Sequence, residues 1–163
     1  MRGKSAFDPA VLIQALGPYN PAAVCEASAI AAYYEFYELD FRAEFPGLTH
    51  SLGWVLSGPH RLAVQSFIPR GARGTAVVCH GYYDHVGLYG HLLRFLLAEG
   101  LAVLTFDQPG HGLSSGARAD IGSFTEYVNA LDDTMSAALA AAAGLPRPWH
   151  IVGQSMEIGR AHV

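Results

Sequence analysis

Around residue 50 the apolar positions change from helical spacing to the short runs of a sheet. Before that point, DPAVLIQAL at 8–16 predicts a short helix, with Asp8 as its cap and Pro9 in its first position. GPYNP breaks it. Residues 22–39 (AAVCEASAIAAYYEFYEL) predict a longer, Ala-rich helix, and FPG at 45–47 closes the region. SLGWVLSG and RLAVQSFIP then read as two strands around the turn SGPH. TAVVCHG at 75–81 is a short unbroken apolar run, the pattern of a strand buried on both faces. Helical spacing returns over 86–99 and stops at Gly100. LAVLTFD (101–107) predicts a second buried strand, and PGHGLSSG a turn-rich loop. Residues 123–143 predict a long helix, with Ser123 and Glu126 as a capping box. WHIVGQS (149–155) predicts a third buried strand.

Strand, helix, strand, helix, strand makes two successive βαβ units, and so a parallel sheet with right-handed crossovers. The two earlier strands can pair antiparallel. No internal repeat interrupts this order, and the alanines at 137–143 belong to the helix.

Composition adds mainly exclusions. Of 163 residues, 51% are hydrophobic and 15% charged, the balance of a globular chain and not of a disordered one. A net charge of −4, with basic residues scattered, argues against nucleic acid as a partner. Two cysteines, Cys25 and Cys79, make no disulfide framework, and Cys79 falls in an apolar run where a buried, inert thiol is expected. VLIQAL is too short and interrupted for a signal segment, and no stretch reaches the length of a membrane span. A soluble, cytoplasmic protein is the expectation.

In open parallel sheets ligands bind beyond the carboxyl ends of the strands. Here each buried strand ends in residues capable of chemistry. The first runs into His80-Gly81-Tyr82-Tyr83-Asp84-His85, the second into Asp107-Gln108-Pro109-Gly110-His111-Gly112, the third into Gly153-Gln154-Ser155-Met156. A G-x-S-x-G turn between strand and helix holds a serine in a strained conformation above the sheet. Gly153 and Ser155 match it, while position 157 carries Glu in place of the last glycine. A hydrolytic serine also needs two backbone N–H donors for the developing oxyanion. One comes from the residue after the nucleophile, here Met156. The other comes from the loop after an earlier strand, where Gly81 lets the backbone approach the substrate and Tyr82 would donate. His80 reads as a structural histidine at a strand end.

Taken together and in order, HGYYDH, FDQPGHGLSSG and GQSM resemble the α/β-hydrolase fold. More narrowly they resemble the group of monoacylglycerol lipases, lysophospholipases and serine aminopeptidases. Asp107, Gly110, His111, Gly112, Ser114 and Gly116 stand where that group carries D-x-x-G-H-G-x-S-x-G. The resemblance covers residues 50 to 156 and leaves the helices before residue 45 unexplained. It implies a hydrolase of small or lipid-like acyl esters that needs no cofactor and no metal. Ser155 is then the nucleophile, and the amides of Tyr82 and Met156 form the oxyanion hole. Asp107 and His111 belong to a structural loop and not to the triad.

The family's acid and base lie on later strands, after the nucleophile. Only eight residues follow Ser155, so half an active site is expected here. One back-translation of residues 157–163 reads GAGATCGGAAGAGCACACGTC, a sequencing-adapter sequence, and on that reading the tail is not native. The expected organisation is therefore a helical segment at 1–48, the N-terminal part of an α/β-hydrolase domain at 49–156, and a non-native tail at 157–163. Cut at this point, the third parallel strand becomes a sheet edge, and poor solubility is expected.

Three other readings compete. HGYYDH approaches an H-x-H-x-D-H metal cluster, but Tyr82 replaces the middle histidine, and zinc needs three or four ligands. Gly110-x-Gly112 suggests nucleotide binding, but Ser115 stands at the third glycine and no helix follows at once. The last is a non-catalytic fragment. Oligomeric state is not legible in the sequence.

Overall fold

The computed structural model describes residues 6–23, 27–141 and 144–154. Among the described residues ten elements follow one another. They are α1 (Pro9–Ala15), α2 (Ser28–Tyr37), β1 (Thr49–Ser57), β2 (His60–Ile68), β3 (Thr75–Cys79), a 3-10 turn (Val86–Tyr89), α3 (Gly90–Ala98), β4 (Ala102–Phe106), α4 (Phe124–Ala140) and β5 (Trp149–Gly153).

The five strands form one mixed sheet in the order β1-β2-β4-β3-β5. β1 and β2 form a hairpin whose last pair is Ser57 with His60, as the SGPH turn predicts. β2 runs antiparallel to β4. β3 lies between β4 and β5, parallel to both. Every residue of β3 and β4 is buried, which explains their unbroken apolar runs. Alternate residues face opposite layers. Ala76 and Val78 join Val103, Leu93 and Leu97 of α3, and Leu12, Ile30 and Tyr33 of α1 and α2. Val77 and Cys79 face the other way, onto Leu104, Phe106 and the small residues Ala130 and Ala138 of α4. The first two helices thus share a core with α3.

Three elements depart from expectation. The helix expected at 22–39 begins only at Ser28. Asn20 captures the upstream chain in a turn: its side chain accepts from Ala22 N, and its carbonyl accepts from Ala23 N. The helix expected over 86–99 opens as a 3-10 turn, because His85 Nδ1 accepts from Gly87 N and Asp107 holds Val86 N. β5 lacks the burial that its apolar run alone predicts and takes the edge position also expected from the sequence, with Ile151 52% exposed. Where expectation and structure agree, the caps are the reason. Asp8 Oδ1 accepts from Ala10 N at 2.8 Å, and Glu126 Oε1 accepts from Gly122 N and Ser123 N.

Among the described residues, no helix is long and apolar enough to cross a membrane.

Candidate active site

β3 and β5 pair in parallel register, with Cys79 opposite Gly153. The chain leaving β3 and the chain leaving β5 therefore reach the same rim of the sheet. Ser155 and Met156 lie outside the described residues, as does the tail at 157–163. The structure describes the other half of the predicted site.

Past β3, Asp84 N donates to Gly81 O at 3.2 Å, closing a four-residue turn. Tyr83 sits in it at φ +64 while Tyr82 keeps a negative φ, the pattern of a type II turn. That position usually takes Gly or Asn, so a tyrosine here is strained. The Tyr82 backbone N–H donates to no described residue. Its phenol donates to Ala119 O at 2.8 Å, tying the turn to the loop after β4.

His80 is 1% exposed and both its nitrogens are engaged. Nδ1 lies 2.8 Å from Gly81 O, and Nε2 accepts from Gln108 N at 2.9 Å. The second contact requires an unprotonated Nε2, so the proton sits on Nδ1 and points at Gly81. Burial pushes the imidazole below its ordinary value, against the opposing pull of the Asp107 carboxylate. A neutral histidine here bridges the loops after β3 and β4.

Asp107 is fully buried and binds two amides at once. Oδ1 accepts from Val86 N and Oδ2 from Leu113 N, each at 2.8 Å. Beyond it the loop takes over from β4, which ends at Phe106, in pairing with β2. Ser114 Oγ donates to Asp107 O and accepts from Ala63 N. Ser115 accepts from Arg61 N through Oγ and donates its own N–H to Arg61 O. The loop's serines thus have structural work: they satisfy the backbone of β2 where β4 no longer can. His111 packs between the rings of His80, Tyr82 and Tyr127, with Nδ1 2.9 Å from Pro109 O. Its buried Nε2 has no partner among the described residues.

Three polar residues absent from the sequence-based site set, Tyr89, Asp84 and Gln154, join the rim. The Tyr89 hydroxyl accepts from Gly81 N at 2.9 Å and lies 2.7 Å from Gln154 Oε1 and 3.0 Å from Asp84 Oδ2. In the sequence, Tyr89 reads as one more large residue on an apolar helix. The available signal was that a buried phenol needs a polar partner. Beside this rim, a cavity of about 390 Å³ opens between the N-terminal helices and the two loops, walled by Phe7, Tyr33, Tyr37, Tyr83 and Asp84.

The metal reading finds little to work with. His80 has no nitrogen to spare, and His85 uses Nδ1 for Gly87 N and places Nε2 3.4 Å from the Tyr37 hydroxyl. Among the described residues no three His, Cys, Asp or Glu side chains gather into a metal-sized cluster.

A mixed sheet carrying a hairpin, parallel central strands, helices on both faces and loops converging beyond β3, β4 and β5 defines an α/β-hydrolase. The esterase of Pyrococcus furiosus superposes with a TM-score of 0.58 at 19% identity, over 86% of this chain and 47% of that one. A soluble variant of the monoglyceride lipase of Saccharomyces cerevisiae, in complex with a substrate analog, superposes with a TM-score of 0.56 at 23% identity, over 66% and 36%. At those identities the likeness is one of fold. The family model described as serine aminopeptidase, S33, matches residues 70–156, more than half of the sequence, and the chain belongs to that family. A monoacylglycerol lipase of Mycolicibacterium smegmatis is 36% identical over 84 residues, which is 52% of this chain and 29% of that enzyme. The chain therefore matches less than a third of that relative's length.

Proposed function

We propose that this protein is a serine hydrolase of acyl esters, with Ser155 as nucleophile and the backbone N–H groups of Tyr82 and Met156 as its oxyanion hole. The observation that carries the reading is the register of β3 against β5 together with the turn after β3. Tyr82 stands three residues beyond Cys79, and Ser155 two beyond its partner Gly153. The Tyr82 N–H is left without a described acceptor at the place where an oxyanion donor is needed.

In the reaction, Ser155 Oγ attacks the acyl carbonyl carbon and passes its proton to a histidine base. The carbonyl oxygen becomes an oxyanion facing Tyr82 and Met156. The tetrahedral intermediate expels the alcohol, which takes that proton, and water then releases the acyl group from Ser155. The family's chain order places the histidine and its acid partner after the nucleophile, and these 163 residues alone are expected to be inactive. Small or lipid-like esters are the expected substrates. The relative named as a monoacylglycerol lipase supports that choice, as do the aromatic walls of the cavity beside the turn. The composition and the lack of a spanning helix among the described residues are consistent with a cytoplasmic setting.

A fluorophosphonate probe tests the assignment. The full-length gene product is expected to be labelled at Ser155, and neither its Ser155→Ala variant nor the 163-residue chain should react. Equal labelling of the Ser155→Ala variant overturns the nucleophile, and no labelling of any of the three overturns the serine-hydrolase reading.

A further inference from the structure

We infer that Tyr89 is a positioning residue of this hydrolase, its hydroxyl setting the distance between the oxyanion turn and the nucleophile turn. The inference rests on the serine-hydrolase reading above and adds to it a residue that touches neither substrate nor reacting atoms.

The argument begins with place. Tyr89 closes the 3-10 turn ahead of α3, and only 8% of its surface is exposed. Its ring belongs to the core that packs under β3, so the phenol oxygen is held from below. That oxygen meets the two turns at matched points. It accepts the N–H of Gly81, the residue before Tyr82, and lies 2.7 Å from the side chain of Gln154, the residue before Ser155. Gln154 also continues the strand pairing, its N–H donating to Cys79 O at 3.4 Å. One hydroxyl thus joins residues adjacent in sequence to the oxyanion donor and to the nucleophile.

The consequence is directional. Gly81 and Tyr82 offer successive N–H groups where the chain leaves β3. Capture of the Gly81 N–H by a buried phenol fixes the His80–Gly81 peptide, and the next peptide, which carries the Tyr82 N–H, is held through Gly81 O by Asp84 N and His80 Nδ1. On the other side, the bond to Gln154 keeps β5 from sliding along β3 at its last residue. An oxyanion hole acts only when its donors are held where charge develops, so an oxygen that holds both edges of the gap acts on the rate and not on ground-state binding. Asp84 Oδ2, 3.0 Å away, competes with Gln154 for the single phenolic proton. The Gly81 contact uses the phenol as acceptor and survives either choice.

The test is Tyr89→Phe in the full-length gene product, assayed on p-nitrophenyl butyrate and by the rate of fluorophosphonate labelling. The ring is retained, so packing is expected to persist. Misplacing a donor by a fraction of an ångström is expected to lower kcat and the labelling rate about tenfold while KM stays within about twofold. Gln154→Leu probes the same link from its other end and should reproduce the loss of kcat. It also decides the matter if Tyr89→Phe fails to fold. In the double variant the two losses should not multiply. A wild-type kcat in both single variants, or a loss that vanishes on cooling below the variant's melting range, overturns the inference and leaves the hydrolase reading standing. An inert wild-type protein overturns both.

Discussion

Asp107 Oδ1 accepts the backbone N–H of Val86 at 2.8 Å, joining the loop after β4 to the start of the helical segment after β3. The partner oxygen holds Leu113 N at the same distance, and the whole residue is buried. Both oxygens are thus engaged by backbone amides. The carboxylate is placed as a clamp on two loops.

Asp107→Ala should therefore act on stability. It strands two buried N–H donors, each worth about 1–3 kcal/mol when unsatisfied, so a loss of about 2–6 kcal/mol is expected. Asp107→Asn keeps one acceptor and turns an NH2 group against the other amide, and should cost about half as much. Equilibrium urea unfolding reads both. An alanine variant within about 1 kcal/mol of wild type refutes the clamp.

Gly112 faces the same carboxylate. It adopts φ +49, and an added Cβ would fall onto the Asp107 side chain. Gly112→Ala should then cost about 1–2 kcal/mol for the left-handed backbone and a further 1–3 kcal/mol, roughly, for displacing the clamp. The second part depends on Asp107. In a double-variant cycle with Asp107→Ala the two losses should fall short of their sum, and simple additivity would show that the two residues do not touch.

Tyr83 is the strained member of the turn after β3, at φ +64 with its side chain 72% exposed. Substitution by alanine and by glycine removes the same ring contact with Tyr82. The comparison of the two isolates the backbone. In an ordinary loop the glycine variant is the less stable, because it loses more chain entropy on folding. Here Tyr83→Gly should exceed Tyr83→Ala by about 1 kcal/mol, read as a higher urea midpoint. The opposite order would mean that Tyr83 does not hold the left-handed conformation in solution.

Much of this architecture is legible in the residues, and the failures have physical causes. β3 and β4 are covered on both sides, so their apolar runs report their state directly. β5 carries a similar run, WHIVG, yet lies at the edge of the sheet. A run of apolar residues records what a strand is suited to, and cannot show whether a neighbour is there to cover it. α2 starts late because a single asparagine turn outweighs the helix propensity of the alanines after it. Within the candidate site, the serines of the loop motif hold neighbouring backbone and its glycines take positive φ, duties that the residue types themselves signal. Tyr89 escaped notice because its partner Gln154 is 65 residues away in sequence, a proximity that only the fold creates.

The exposed edge has a measurable consequence. Among the described residues no strand pairs with β5 on its outer side, and His150, Ile151 and Gly153 are exposed. An open edge carrying a large apolar residue templates association. The 163-residue chain should sediment as concentration-dependent oligomers, and Ile151→Lys should shift it toward monomer. A monomeric, cooperatively melting wild-type chain would contradict this.

His50 gives the molecule an acid limit that lies away from the candidate site. Its ring is stacked between Tyr34 and Phe67, with centroids 3.9 Å away on each side, and Nε2 lies 3.1 Å from Gln65 Oε1. Burial drives its pKa down from 6.5 to about 3, against smaller upward pulls from Gln65 and Asp40. Between those two values the unfolded chain binds a proton at this residue and the folded chain does not. The stability that His50 contributes is thus fully present above the unfolded value of 6.5 and drains away as the pH falls toward about 3. The slope is about 1.4 kcal/mol per pH unit, so acidification from neutrality to roughly pH 5 should remove about 2 kcal/mol through this group. Urea unfolding of wild type and His50→Gln across that range is the check. The variant should start less stable, having lost the ring stack, yet depend on pH by one proton fewer. Equal slopes would show that His50 is protonated in the folded protein, which an imidazole held between two buried aromatic rings should resist.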